Sequence, residues 1–120
     1  DRHLEQELAA IPDQIGLVLR VRLAAVKLLS EGVPALSAIA HELGMSARTL
    51  QRRLSETGHS FQGLVDLARQ ELAQQLLRET EYSLAEVAFL TGFSEQSGFT
   101  RAFKRWSGQT PRSYRLSTSL

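Results

Sequence analysis

This chain contains one pattern written twice, and that repeat restricts its fold more than any other feature. Leu36, Ile39, Ala40, Gly44 and Ser46 recur as Leu84, Val87, Ala88, Gly92 and Ser94 at an offset of 48 residues. Leu50 and Leu54 recur as Phe99 and Phe103 at 49, and Gly58 and Ser60 as Gly108 and Thr110 at 50. Self-similarity on this scale marks one supersecondary unit used more than once. In each copy, apolar spacings of three and four describe a short helix, a glycine interrupts, and a second apolar pair opens another helix. A short helix, a glycine-bearing turn and a second helix form a helix-turn-helix. Gly44 and Gly92 fall where the chain would leave its first helix in a left-handed conformation that a Cβ disfavours. The offset grows by one inside the second turn, so the second helix of copy two should start slightly differently.

The rest of the chain reads as helix in the same way. Residues 14–31 carry Leu19, Leu23, Val26 and Leu29 as an apolar stripe, with Gly32 and Pro34 as the stop. Helices are expected over 36–43, over 47–57 behind a Ser46 cap, and over 61–79 behind Ser60. The last of these has Leu64, Leu67, Ala68, Leu72, Leu76 and Leu77 as its apolar face. Ser83 with Glu86 forms a capping box ahead of a helix over 84–90. Further helices are expected over 95–107 and, from Pro111 at a first helical position, over 111–116. Ala35 stands where copy two has Ser83, so the first short helix lacks a side-chain cap. The expected fold is all-α: seven helices with no convincing strand, in two helix-turn-helix subdomains, 15–59 and 81–116. A linker helix over 60–80 joins them, and residues 1–14 and 117–120 are read as tails. At 1.5 Å per residue, a linker helix of ~19 residues spans ~28 Å, close to the ~34 Å between successive major grooves on one side of B-DNA.

The charge pattern points the same way. Net charge is only +1, but residues 1–14 are acidic, with Asp1, Glu5, Glu7 and Asp13 against Arg2. Beyond Glu95 there is no acid, while Arg101, Lys104, Arg105, Arg112 and Arg115 follow. Arg48, Arg52 and Arg53 form a second basic cluster, and two such clusters suit a polyanion. On the second helix of copy one, Arg48, Gln51, Arg52 and Ser55 share a face by i, i+3, i+4, i+7 spacing, opposite Leu50 and Leu54. Arg pairs bidentately with guanine and Gln with adenine, so Arg48, Gln51 and Arg52 are the expected base readers. Copy two offers Gln96, Ser97, Thr100 and Arg101, with Gln96, Ser97 and Arg101 as base readers. Phosphate contacts are expected from Arg53, Thr100, Lys104, Arg105 and Arg112, and from the helix starts at Ser46, Ser60 and Thr110, whose free N–H groups favour anions. Gly98 either permits close approach to DNA or weakens readout. Arg115 either binds phosphate or makes a structural ion pair. Trp106 and Tyr114 read as packing residues.

Other chemistry finds little footing. There is no cysteine, which removes disulfides and thiolate metal sites and suits a reducing cytoplasm. His3, His41 and His59 have no metal-ligand spacing, and no nucleophile elbow, P-loop or dinucleotide fingerprint occurs. No enzyme and no cofactor is expected. No apolar stretch approaches the ~20 residues of a membrane span. The chain starts at Asp1 rather than Met, so an N-terminal partner domain is expected to be missing.

The segments "IAHELGMSARTLQRRLSETGHSF" and "LAEVAFLTGFSEQSGFTRAFKRWSGQTPRSYR" resemble the AraC/XylS family of transcription regulators. The second matches the family's signature block through Ala88, Gly92, Phe93, Phe99, Phe103, Lys104, Gly108, Pro111, Tyr114 and Arg115. The resemblance implies seven helices in two homeodomain-like subdomains joined by a long helix. It also implies a separate sensing or dimerising domain, binding to double-stranded promoter DNA, and activation more often than repression through contact with RNA polymerase. The competing readings are a protein-interaction module that docks polymerase with incidental DNA contact, and a nonspecific DNA coat.

Overall fold

The computed structural model describes residues 13–118. Among them are seven α-helices: α1 (Asp13–Leu28), α2 (Leu36–Glu42), α3 (Ala47–Thr57), α4 (Phe61–Glu79), α5 (Leu84–Leu90), α6 (Gln96–Ser107) and α7 (Pro111–Thr118). A single 3-10 turn, Leu29–Glu31, follows α1, and there is no strand among the described residues. The fold is the all-α, two-unit arrangement that the repeat requires.

Local chemistry sets most boundaries. The Ser46, Ser60 and Ser83 hydroxyls each accept from the backbone N–H three residues on, satisfying a donor with no partner inside the helix. Glu86 returns the bond to the Ser83 N–H, closing the capping box. The cap of α6 is Glu95, without a side-chain bond, one residue later than Ser46 would predict. This is the altered start that the growing offset implies. Gly44 and Gly92, at φ +73° and +90°, supply the left-handed residue after the first helix of each unit.

Two cores form. The first gathers Leu17, Val21, Ala24 and Ala25 of α1, Ile39 and Ala40 of α2, Leu50 and Leu54 of α3, and Leu64, Val65 and Ala68 of α4. The second gathers Ala73 and Leu77 of α4, Val87 and Ala88 of α5, and Phe99 and Phe103 of α6, with Phe93, Trp106 and Tyr114 packed against them. Thus α4 belongs to both units: its first half completes one core and its second half the other.

Three expectations need correction. The apolar stripe of α1 is not Leu19, Leu23 and Val26; Leu23 and Val26 are 46% and 39% exposed, while Leu17 and Val21 are 2% and 0%. This helix is apolar around most of its circumference, so spacing alone admits two stripes. The chosen one buries the small residues Ala24 and Ala25 with Leu17 and Val21 in the first core. On α4, Leu67 is exposed and Val65 buried instead. Finally, helix extends into both segments read as tails: Asp13 and Gln14 open α1, and Ser117 and Thr118 complete α7. Residues 1–12 and 119–120 of those tails lie outside the described residues.

Candidate nucleic-acid interface

Helix α3 presents one face to the core and the other to solvent. Leu50 and Leu54 are buried, and Arg48, Gln51, Arg52 and Ser55 are all exposed. Among the described residues none bonds the head groups of Arg48, Gln51 or Arg52, so three long polar side chains project from a helix fixed from behind. Ser55 is different: its hydroxyl donates to the Gln51 carbonyl 3.0 Å away and is partly spent on its own helix. Arg53 is half-buried at the side of the helix. Ser46 is exposed, and its Oγ accepts from Thr49 N–H at 3.1 Å while donating to Thr49 Oγ1 at 2.9 Å. That leaves the remaining N–H groups of the first turn available to an anion.

Helix α6 repeats the arrangement. Phe99, Ala102 and Phe103 are buried, Gln96, Ser97 and Arg101 are exposed, and Thr100 is half-buried. Lys104 and Arg105 are exposed in its last turn. Arg112, also exposed, follows on α7 behind Thr110, whose hydroxyl accepts from Ser113 N–H at 3.1 Å. Ser60 opens α4 in the same way, accepting from Gly63 N–H at 3.0 Å. Gly98 sits half-buried beside Phe93, where a Cβ would meet the ring at an ordinary 3.7 Å. Packing therefore does not demand glycine there.

The structure resolves several open alternatives. Arg115 is a structural residue: its Nε donates to the Leu77 carbonyl at 3.1 Å and its guanidinium reaches the Thr80 carbonyl at 3.4 Å. It therefore closes the C-terminal end of α4, where a cation is favoured. Tyr114 packs edge-on to Phe103 with ring centres 5.3 Å apart, and Trp106 lies 6.1 Å from Phe93. Both aromatics belong to the second core. The Tyr114 hydroxyl also accepts from Arg78 at 3.0 Å, and this bond pushes the Arg78 guanidinium above its ordinary pKa. His41 is exposed, and the described residues include no cluster of three or more His, Cys, Asp or Glu able to hold a metal ion. No single described helix is long and apolar enough to cross a membrane.

One functional candidate escaped the sequence analysis. Arg69, on α4, is only 8% exposed. Its Nε donates to the Thr91 carbonyl at 2.9 Å, and its guanidinium lies 3.9 Å over the Phe93 ring. Burial pushes its pKa below the ordinary guanidinium value; Asp66 acts in the opposite sense, and Arg105 adds to the lowering. Guanidinium remains a cation across the physiological range regardless. A signal was present: Val65, Arg69, Ala73 and Leu77 recur every four residues on one face of α4, so a cation falls within a buried row.

Comparison with known proteins agrees with this geometry. A family model described as a helix-turn-helix domain matches residues 39–117. The chain is 39% identical over 115 residues to the ornithine utilization regulator of Pseudomonas aeruginosa, covering 96% of this chain and 34% of that protein. The crystal structure of a DNA-binding transcriptional dual regulator from Escherichia coli K-12 superposes with a TM-score of 0.76 at 28% identity, covering 85% of this chain and 91% of that one. The DNA-binding domain of AdpA, solved in complex with a target DNA, superposes with a TM-score of 0.64 at 32% identity, covering 83% and 90%. The chain spans about a third of the length of the curated regulators it matches. These relatives are transcription regulators rather than enzymes, and the two-unit fold and matched segment agree with them: the chain belongs to the AraC-type helix-turn-helix family of transcription regulators.

Proposed function

We propose that this domain recognises a bipartite site in double-stranded promoter DNA by laying α3 and α6 into successive major grooves. The observation that carries this reading is the matched design of the two helices. Each is anchored by a buried apolar pair and turns two or more exposed Arg or Gln side chains outward. Arg48, Gln51 and Arg52 on α3, and Gln96, Ser97 and Arg101 on α6, read base edges. Phosphates are held by Arg53, Thr100, Lys104, Arg105 and Arg112 and by the helix starts at Ser46, Ser60 and Thr110. A 40 Å long axis for the described residues is ample for two probes about one duplex turn apart.

In the full-length protein this binding serves promoter control in the cytoplasm, by activation through contact with RNA polymerase, as the family resemblance implies. A sensing or dimerising domain elsewhere in that protein is part of the reading, because this chain covers only 34% of a matched regulator. No cofactor enters.

Selecting bound duplexes from a random pool tests the proposal and yields the site. Alanine at Arg48, Gln51 or Arg52 then costs about 1–3 kcal/mol on that site and relaxes preference at one position, whereas Lys104→Ala weakens all sequences alike and lowers the salt slope by about one. Equal affinity for every duplex in the pool would refute the reading and favour a nonspecific coat. Polymerase capture by a domain that binds no duplex would favour an interaction module.

A further inference from the structure

Leu29, in the 3-10 turn after α1, is fully buried yet belongs to neither helical core. Its neighbour is the turn of the second helix-turn-helix. A Cβ added to Gly92 would lie 3.2 Å from Leu29 Cδ2 and 3.4 Å from the Leu29 carbonyl oxygen. The equivalent glycine of the first unit, Gly44, has nothing within 4 Å of such a Cβ. Both turns need a left-handed residue, but only at Gly92 does another part of the molecule press so close that a Cβ would crowd it.

The same turn is held from a second direction. Thr91 caps the C-terminal end of α5, where helix carbonyls lack intrahelical donors and favour a cation. Arg69 supplies both donor and charge, through its bond to the Thr91 carbonyl, and it stacks on Phe93 two residues later. Thr91 is itself wholly buried, its hydroxyl turned back to the Val87 and Ala88 carbonyls. The segment leading into α6 is thus gripped by Leu29 of the first unit and Arg69 of the linker helix.

We propose that this grip sets the angle between the two units, making Leu29, Arg69 and Gly92 positioning residues for bipartite DNA recognition. A helix shared by two cores fixes their separation but leaves bending and twisting about that single link. A second attachment, away from the helix axis, removes that freedom. Once α3 is seated, α6 is already aimed at its groove, and the second contact becomes an intramolecular event at high effective concentration. The proposal rests on the reading that α3 and α6 both enter DNA.

The test measures affinity for three duplexes: the selected full site, and two versions with one half or the other scrambled. Arg69→Met should bind the full site on the order of tenfold more weakly and each half-scrambled duplex within about twofold of the parent. Arg69→Lys, which can still donate to the Thr91 carbonyl, should recover part of the loss. Leu29→Ala tests the other attachment, leaving the left-handed turn at Gly92 untouched, and should show the same selective loss. The cysteine-free chain also permits spin labels at Glu56→Cys on α3 and Ser97→Cys on α6 without background. The distance distribution between them should broaden in Arg69→Met while the circular dichroism of a folded domain is kept. Equal losses on all three duplexes, or an unbroadened distribution, would overturn the coupling. If the parent domain binds the full site no better than a half-scrambled one, the two-groove reading fails and takes the coupling with it. If the parent's full-site advantage survives intact in Arg69→Met and Leu29→Ala, the coupling alone fails.

Discussion

Ala35→Ser should stabilise the domain by supplying the side-chain cap that α2 lacks. The backbone is already in place: Ala35 sits at φ −79°, ψ 158°, against −77°, 156° at Ser46 and −61°, 159° at Ser83, both of which cap. Ala35 is exposed, so the new hydroxyl displaces nothing. Its partner would be the Ala38 N–H, now bonded only to the Ala35 carbonyl at 3.1 Å in a tight three-residue closure. A serine cap in place of alanine is worth about 0.5–2 kcal/mol, typically near 1. With a urea m-value of about 2 kcal/mol/M, 1 kcal/mol moves the midpoint by roughly 0.5 M, and the melting temperature by about 4 °C or more. Adding Ala38→Glu would complete the box that Ser83 and Glu86 form in the second unit, and should increase the gain. Helicity in urea reads the whole domain. Fluorescence of Trp106, the sole tryptophan, reads the second core alone. If the units unfold together, both curves shift equally. Ser83→Ala is the control and should lower the midpoint by a similar amount. An Ala35→Ser midpoint unchanged in both signals, with Ser83→Ala clearly lowered, would show that matching backbone angles do not suffice for a cap.

Gly98→Ala should raise stability by about 0.5–1 kcal/mol, because its Cβ meets Phe93 at an ordinary distance and helical glycine is costly; thermal melts check this, and weaker full-site binding in the same variant would assign Gly98 to close DNA approach. Leu17→Ala should cost about 2–5 kcal/mol by opening a cavity in the first core, whereas Leu23→Ala, at an exposed position on the same helix, should cost under about 1 kcal/mol. Their ratio in urea titrations distinguishes the observed stripe of α1 from the one its spacing suggests. Arg115→Met should destabilise the domain by roughly 1–3 kcal/mol, since the Leu77 and Thr80 carbonyls lose a charged donor. It should leave the salt slope of DNA binding unchanged, which a phosphate contact would not.

What was legible in the amino-acid order was what local physics decides. Ser46, Ser60 and Ser83 cap their helices because an N-cap bond spans three residues and needs no tertiary partner. The exposure of Arg48, Gln51 and Arg52 followed from the burial of Leu50 and Leu54, since a helix cannot bury both faces. What stayed hidden depends on packing between distant segments. The outward turn of Leu23 and Val26 goes with the burial of Leu17, Val21, Ala24 and Ala25 in a core shared with three other helices, and no property of α1 alone selects that face. Arg69 and Leu29 are separated from Thr91 and Gly92 by 22 and 63 positions, and only the folded chain brings them together.

The two copies have diverged in the way their surroundings demand. A helix-turn-helix pair cannot bury its own apolar faces and must borrow a further wall. The first unit borrows the sixteen-residue α1, which lays Leu17, Val21, Ala24 and Ala25 along it, so aliphatic Leu50 and Leu54 suffice on α3. Beside its half of α4, which the first unit also has, the second unit has the eight-residue α7 in place of α1. Less wall leaves more volume to fill, and the equivalents of Leu50 and Leu54 are Phe99 and Phe103, backed by Phe93, Trp106 and Tyr114 in edge-on and tilted contacts. Phe99→Leu and Phe103→Leu should therefore cost stability although they restore the residue used in the first unit, because each leaves a void that α7 is too short to collapse into. A loss of roughly 1–3 kcal/mol in the Trp106 signal is the expected result. A neutral outcome would mean that the aromatic content of the second core answers to something other than the length of its third wall.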